Sequence, residues 1–384
     1  MDLRERVRTL RQDLRHLGNT LAGRRPPISI SRGRRETARA AQTLATRRVR
    51  IEEIRRETPD AVTLVLADLS GAPFSHAPGQ FYTLLVRLDG ELVRRAYSAC
   101  TPDGDRSRLW LTAKRIAGGR VSSHLHQGLA VGETLELLGP SGAFVPASGP
   151  AHRVLIAGGS GITPMVAIAE WALSVEPDAR LTLLYGNRGE GDVIFRRRLD
   201  DLAARHAGRL EIVHVLSEPP PGWTGAVGIL DRPSVARLIA PLPLEAEYFL
   251  CGPEPMMDAA RGALVDKGVP SAAIKEERFT QPHLRQARRA PTAAQRVAIT
   301  KGGVASLVTA QPGQTLLDAG LAAGIPMPYS CTMGGCGACK VKLVAGEIEM
   351  EEPNCLSSGE RAAGEVLACV GRPVSGDVRI VLGR

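Results

Sequence analysis

Four cysteines near the C-terminal end constrain this chain more than any other feature. Cys331, Cys336, Cys339 and Cys369 follow the pattern C-x4-C-x2-C, then 29 residues, then the fourth cysteine. This is the plant-type spacing of a [2Fe–2S] ligand set. The first three lie in the run Cys331-Thr332-Met333-Gly334-Gly335-Cys336-Gly337-Ala338-Cys339. A loop that wraps closely round a cluster needs residues that accept positive φ, and glycine does so at least cost. Its backbone N–H groups can then point at sulfur and offset the cluster's negative charge. A zinc site is the alternative, but zinc knuckles usually pair two short Cys-x2-Cys hooks. Cys100 and Cys355 fit no ligand spacing and read as free thiols.

A chain of 384 residues is long for one core, so two or three domains are expected. Seven cysteines, four of them committed to a cluster, suit a reducing cytoplasm better than a disulfide framework. No run reaches the roughly 18 apolar residues of a membrane span, and no secretory signal is visible. A cytoplasmic location, with peripheral membrane association left open, is the expectation. The net charge of +9 is concentrated in one place. Residues 1–50 hold 14 Arg, no Lys and four acids, which is +10, so the remaining chain sums to −1. Nucleic-acid binding is not expected, because no aromatic interleaving or reader motif accompanies the arginines.

Residues 1–22 place Leu3, Val7, Leu10, Leu14, Leu17 and Leu21 at alternating spacings of four and three, a helical stripe. Such a helix packs on its own body, frays in solution, docks a partner or lies on anionic lipid. With the linker that follows it forms segment 1–47. Residues 48–148 alternate apolar and polar in short runs such as Val62-Thr63-Leu64-Val65-Leu66, and predict a small antiparallel β-barrel. Residues 149–280 alternate strand-like and helix-like stretches, and predict an α/β domain on a parallel sheet. Residues 281–295 read as a linker and 296–384 as a last small domain round the cluster loop.

Three motifs precede the cysteines. Arg95-Ala96-Tyr97-Ser98 follows a predicted strand, and Gly118-Gly119-Arg120-Val121-Ser122 comes some twenty residues later at a helix start. Together they make sense as a flavin clamp. Arg95 neutralises phosphate, Tyr97 offers a ring face, Ser98 reaches the redox nitrogen, and N–H groups near Val121 and Ser122 hold a pyrophosphate. A surface hairpin with an ordinary loop is the plain alternative. Next, Gly158-Gly159-Ser160-Gly161-Ile162-Thr163-Pro164 joins an apolar strand to a helix, where glycines let N–H groups approach a dinucleotide. Finally, Cys251-Gly252-Pro253-Glu254-Pro255-Met256 also follows a strand. Ligands sit at the C-terminal ends of strands in open α/β sheets.

These motifs in this order resemble the ferredoxin–NADP reductase-like family. The C-terminal cysteines make the architecture similar to the phthalate dioxygenase reductase and phenylacetyl-CoA epoxidase reductase type, over about residues 48–384. The resemblance implies a multidomain fold: a β-barrel flavin domain, an α/β nucleotide domain and a β-grasp ferredoxin domain. It implies FAD rather than FMN, held by Arg95, Tyr97 and Ser98 with Gly119, Val121 and Ser122 on its phosphates. It implies a nicotinamide nucleotide on Gly158, Gly159, Gly161 and Thr163, with Cys251, Gly252 and Pro253 near its ring. Phe279 is then either close to the flavin or a core residue. The implied activity is an electron relay from NAD(P)H through FAD and the cluster to an oxygenase, epoxidase or fatty-acid desaturase. A hybrid-cluster protein as acceptor, or a sensor without turnover, are the alternatives. No side chain need act as an acid or base, since the cofactors carry the chemistry.

Charge addresses the nucleotide. Tyr185-Gly186-Asn187-Arg188 follows the second strand of the α/β domain, and Asn187 and Arg188 are candidate nucleotide ligands. Arg188 stands where a guanidinium can pair with a 2′-phosphate, and Arg196-Arg197-Arg198 either adds positive charge nearby or forms a solvated helix face. NADH usually meets an acid there. The expectation is NADPH over NADH.

Overall fold

The computed structural model describes residues 46–149, 151–279, 293–329, 331–332, 334–335, 337–351, 354–356 and 358–383. The expected helix over 1–22, residues 281–292 of the expected linker, and Cys336 lie outside the described residues.

The first sheet holds β1 (Arg47–Thr58), β2 (Ala61–Asp68), β3 (Phe81–Leu88), β4 (Glu91–Ser98), β5 (Arg108–Lys114) and β6 (Thr134–Ser141). Its order is β4-β3-β6-β1-β2-β5, antiparallel throughout. The two-residue turn between β3 and β4 is Asp89-Gly90, both at positive φ (53° and 81°). That geometry matches the right-handed twist of the flanking strands. A bridge between Ala99 and Leu111 draws the two edges of the sheet together into a barrel. Helix α1 (Arg120–Gln127) turns Val121 and Leu125 into the barrel core, against Leu64, Leu84 and Leu111.

The second sheet is parallel: β7 (His152–Gly158), β8 (Arg180–Asn187), β9 (Leu210–Leu216), β10 (Ala226–Val227), β11 (Glu247–Cys251) and β12 (Ile274–Glu277), in the order β10-β9-β8-β7-β11-β12. Its helices are α2 (Ile162–Val175), α3 (Arg196–Arg205), α4 (Arg232–Ile239) and α5 (Glu254–Lys267). Successive side chains of a strand face opposite ways. Leu155 of β7 accordingly joins a core with residues of α2 and α3, whereas Val154 and Ile156 join another with residues of α4 and α5. Strand order reverses at β7 and β11, which is where such sheets open a ligand crevice.

The third sheet has the order β14-β13-β19-β15-β17. Its strands come from β13 (Gln295–Lys301), β14 (Val304–Ala310), β15 (Lys340–Ala345), β16 (Ile348–Met350), β17 (Glu365–Leu367), β18 (Gly371–Pro373) and β19 (Val378–Leu382), with β16 and β18 forming a separate ribbon. β13 and β19 pair in parallel and the other pairs are antiparallel. Helix α6 (Leu316–Ala322) starts on a capping box. The Thr315 hydroxyl accepts the Asp318 N–H and the Asp318 carboxylate accepts the Thr315 N–H, each at 3.1 Å. Leu316 and Leu317 then pack on Ile299, Val341 and Ile380, the mixed-sheet-plus-helix arrangement expected of a β-grasp. α7 (Ser358–Ala362) follows.

Two polar clusters fasten the first two sheets together. The buried Arg153 pairs with Glu176 and Glu247. Lys275 pairs with Glu247 and also donates to the carbonyl of Val145, between β6 and β7. Arg198 makes two 2.7 Å bonds to Glu170 and donates to the Cys100 carbonyl at 2.8 Å. This corrects the reading of Arg196-Arg197-Arg198 as a source of free positive charge. Arg198 is a clasp between domains, because its guanidinium lies over the Trp110 and Phe195 rings while a carboxylate matches its charge. Among the described residues, no helix is long and apolar enough to cross a membrane.

Candidate electron-transfer site

The two glycine-rich strand ends meet at the point where strand order reverses. A Cβ on Gly158 would lie 2.7 Å from Met256 Sδ and Pro253 Cδ; one on Gly161 would lie 2.0 Å from the Cys251 carbonyl oxygen. The glycines are therefore demanded first by the contact between the turns after β7 and β11. Gly252 belongs to the same contact, since its Cβ would lie 2.9 Å from the Gly158 nitrogen. Gly159 is different. It has φ +52°, and what stands nearest to its Cβ position is Lys114 Nζ at 3.8 Å. The space beside it is open apart from that ammonium, which suits an anionic ligand.

The remaining nucleotide candidates divide by what they already bond. Thr163 is buried and its hydroxyl donates to the Ser160 carbonyl at 3.0 Å, so it fixes the turn rather than facing outward. The Tyr185 hydroxyl donates to the Gly159 carbonyl at 3.0 Å and steadies the same turn. Both amide atoms of Asn187 are buried without a hydrogen-bond partner among the described residues, a cost that a ligand can remove. Arg188 is 64% exposed and already bonded to Asp192 at 2.7 Å.

On the barrel side, Ser98 ends β4, with Arg95 and Tyr97 just before it. Burial pushes the Tyr97 phenol well above its ordinary value, against the opposing charge of Arg95, so the ring stays neutral. Helix α1 starts at Gly119, which supplies no side-chain cap, and its first turn carries no acid. Its first N–H groups therefore present a positive end. A Cβ on Gly119 would lie 2.5 Å from Ser122 Oγ. That hydroxyl accepts the Ile116 N–H at 3.1 Å and closes the turn, while the Val121 side chain is core. Both residues thus offer backbone, not side chain, to a phosphate.

One residue that sequence reasoning passed over completes this edge. Glu277 ends β12, pairs in register with Cys251 of β11, and accepts a hydrogen bond from Ser98 Oγ at 3.1 Å. Burial raises its carboxyl to about 8, opposed by the Ser98 bond. Burial also raises the Cys251 thiol well above its usual range, with the Glu277 charge adding to it. Two neutral proton carriers and one hydroxyl therefore converge where barrel and parallel sheet meet. The signal available was an acid at the C-terminal end of the last parallel strand. Lys114 was likewise passed over, since an isolated lysine at a strand end has no spacing to mark it.

At the cluster loop, Cys331, Cys339 and Cys369 are all buried. Cys339 Sγ and Cys369 Sγ lie 3.1 Å apart, and the Gly334 N–H points at Cys369 Sγ at 3.3 Å. Thr332, Gly334 and Gly337 all take positive φ (54°, 73° and 71°), so the wrapping expected of the glycines is present. The fourth candidate, Cys336, lies outside the described residues. Cys355 is a half-buried free thiol beside the loop, its N–H donating to the Gly334 carbonyl at 2.8 Å. Burial and the neighbouring Cys331 and Cys339 raise it to about 11. Phe81 of β3 packs on Cys331, with Ala96 of β4 beside them, so the cluster loop sits directly against the barrel. One cleft is lined by Ser98, Glu277 and Phe279 together with Cys331 and Gly335.

Known proteins share this plan. Family models match an oxidoreductase FAD-binding domain over residues 50–145, an oxidoreductase NAD-binding domain over 155–262 and a 2Fe-2S iron-sulfur cluster binding domain over 299–374. The chain is 36% identical over 342 residues to one of the subunits of 1,2-phenylacetyl-CoA epoxidase from Escherichia coli strain K12, covering 85% of this chain and 95% of that protein. The chain belongs to the ferredoxin–NADP reductase-like family. This reductase is also 35% identical over 351 residues to the glycine betaine monooxygenase reductase subunit of Pseudomonas aeruginosa, covering 86% and 94% of the two chains. It shares the fold of phthalate dioxygenase reductase, with TM-score 0.61 and 24% identity over 89% of this chain and all of that one. It is an oxidoreductase with FAD, NAD and 2Fe-2S domains.

The described residues suit all three groups. Buried thiols with an inward N–H suit an iron–sulfur cluster. An uncapped helix start free of acids suits a flavin pyrophosphate, and the open backbone of Gly159 under Lys114 suits a dinucleotide.

Proposed function

We propose that this reductase draws electrons from a reduced nicotinamide nucleotide and delivers them one at a time to a terminal oxygenase. The observation that carries the reading is the shared cleft, which puts Ser98 and Glu277 on the same lining as the cluster cysteine Cys331. An oxygenase is favoured over a desaturase or a hybrid-cluster protein because both relatives compared above are named as components of an epoxidase or a monooxygenase. The two intact glycine turns favour turnover over a sensor.

A flavin held by Arg95, Tyr97 and Ser98 would supply the conversion of a two-electron hydride into single electrons, and a cluster held by Cys331, Cys336, Cys339 and Cys369 would supply one-electron transfer. The chain's own residues do the rest. The open end of α1 and Arg95 bind phosphate. Ser98 and Glu277 hold a proton at Glu277 Oε beside the cleft. Phe81 and Ala96 keep water out between the barrel and Cys331. Contact of residues 1–22 with a membrane or partner belongs to the same proposal on charge and periodicity, and liposome sedimentation with and without residues 1–45 tests it.

The relay is tested by anaerobic titration with NADH and with NADPH, followed by absorbance and electron paramagnetic resonance. The expected result is flavin bleaching together with the signal of a reduced [2Fe–2S] cluster, discharged by an added oxygenase component. Bleaching without the cluster signal would overturn the relay.

A further inference from the structure

The nucleotide end of the second sheet carries a charge arrangement that opposes the expectation of NADPH. We propose that Asp192 sets nucleotide specificity by occupying Arg188, and that the preferred donor is NADH. The inference rests on the nucleotide reading above and narrows it.

Arg188 follows the last residue of β8. Its Nη2 lies 2.7 Å from Asp192 Oδ1 and 3.8 Å from Asp60 Oδ2. Asp192 is not a casual surface partner. It ends the Glu190–Asp192 turn, and its other oxygen, Oδ2, accepts the Gly189 N–H at 3.1 Å. The turn and the guanidinium thus hold the carboxylate from both sides. Burial would raise its pKa, but the bonds from Arg188 and the Gly189 N–H prevail and lower it, so it is ionised at neutral pH.

Two further carboxylates face the same guanidinium. Asp60 lies 3.5 Å from Lys114, and Glu218 adds its charge from the end of β9. The Glu218 N–H donates to the Arg188 carbonyl at 2.7 Å and the Ser217 N–H to the Asn187 carbonyl at 3.1 Å, so the two strand ends are tied together. Around this corner, Arg188 and Lys114 supply two positive charges, and Asp60, Asp192 and Glu218 supply three negative ones. Of the next arginines, Arg196 is paired with Glu190 and Asp200 and Arg198 with Glu170, while Arg197 is 96% exposed and lies 3.9 Å from Asp201.

A 2′-phosphate entering here must displace Asp192 from Arg188 and then stand beside three carboxylates. A ribose with free hydroxyls meets no such penalty and can donate to a carboxylate. The orphaned Asn187 amide at the same strand end suits a neutral polar group equally well.

The test compares kcat/KM for NADH and NADPH in the holoprotein with an artificial one-electron acceptor, and measures NAD+ and NADP+ binding by calorimetry. The wild type is expected to favour the non-phosphorylated nucleotides. Asp192→Asn is expected to raise NADP+ affinity and NADPH efficiency about tenfold relative to NAD+ and NADH. The double variant Asp192→Asn with Arg188→Ala should lose that gain. Asp192→Ser, which keeps an acceptor for the Gly189 N–H, replaces Asp192→Asn if that variant does not fold. A wild type that prefers the phosphorylated nucleotides, or an Asp192 variant whose NADP+ affinity is unchanged, overturns the inference. Calorimetry reads binding even where no electron reaches the cluster, so this failure is distinct from failure of the relay.

Discussion

Ser98 Oγ donates to Glu277 Oε2 across 3.1 Å, although 179 residues of chain separate them. The bond joins the last residue of a barrel strand to the last residue of the parallel sheet, and it puts a carboxyl that is neutral at pH 7 beside the cleft. This carboxyl is therefore held jointly by two domains.

Burial raises the pKa of that carboxyl in the folded protein to about 8, from an ordinary 4.5. Between those values the folded state binds more protons than the unfolded one. Its contribution to stability is thus complete below about pH 4.5 and is lost as pH rises through about 8. Glu277→Gln should flatten this loss, seen as a Tm that falls less between pH 6 and 9 than in the wild type. Flavin reduction by the nucleotide should break near pH 8 in the wild type, and stopped-flow absorbance should show no such break in the variant.

Phe81 is 5% exposed and is the apolar contact between the barrel and Cys331. Phe81→Ala should destabilise the protein by about 3 kcal/mol, as large-to-small core changes do. Electron passage from flavin to cluster should slow while reduction of the flavin keeps its rate. Following the two absorbance changes in one rapid-mixing experiment separates these steps, and equal slowing of both would refute the assignment.

Gly161 cannot carry a side chain without moving backbone, since its Cβ would lie 2.0 Å from the Cys251 carbonyl oxygen. Gly161→Ala should cost about 1–3 kcal/mol and loosen the turn that faces the nucleotide. Gly118→Ala serves as a comparison: it has open space around its Cβ but a φ of +71°. Thermal denaturation and NAD+ calorimetry of both variants should show weaker nucleotide binding for Gly161→Ala alone.

Lys114 offers its ammonium above Gly159 and is tied to Asp60 at 3.5 Å. Lys114→Met keeps the stem and removes the charge. The KM for either nucleotide should rise about tenfold with kcat nearly unchanged, because uniform binding is lost. A fall in kcat with KM unchanged would place Lys114 in the chemistry instead.

The cysteine spacing, the two glycine turns after apolar strands and the R-x-Y-S stretch were legible in the sequence. Each is local, encoding the backbone path of a few consecutive residues, and glycine or cysteine marks such a path directly. The alternation of apolar residues likewise carried the barrel and the parallel sheet. What the side chains at those places do was not legible. Thr163 spends its hydroxyl on closing its own turn, and so does Ser122, which leaves the Ser122 backbone N–H as what it offers a phosphate. Arg188 looked free and is held by Asp192; Arg198 looked solvated and clasps two domains. Glu277 was marked only as an acid at a strand end until β12 was set beside β11 and against Ser98. Which charge meets which partner depends on strands brought together from distant parts of the chain, and burial then decides which protons stay. A one-dimensional spacing records turn geometry, whereas electrostatic pairing and desolvation exist only once the tertiary structure has formed.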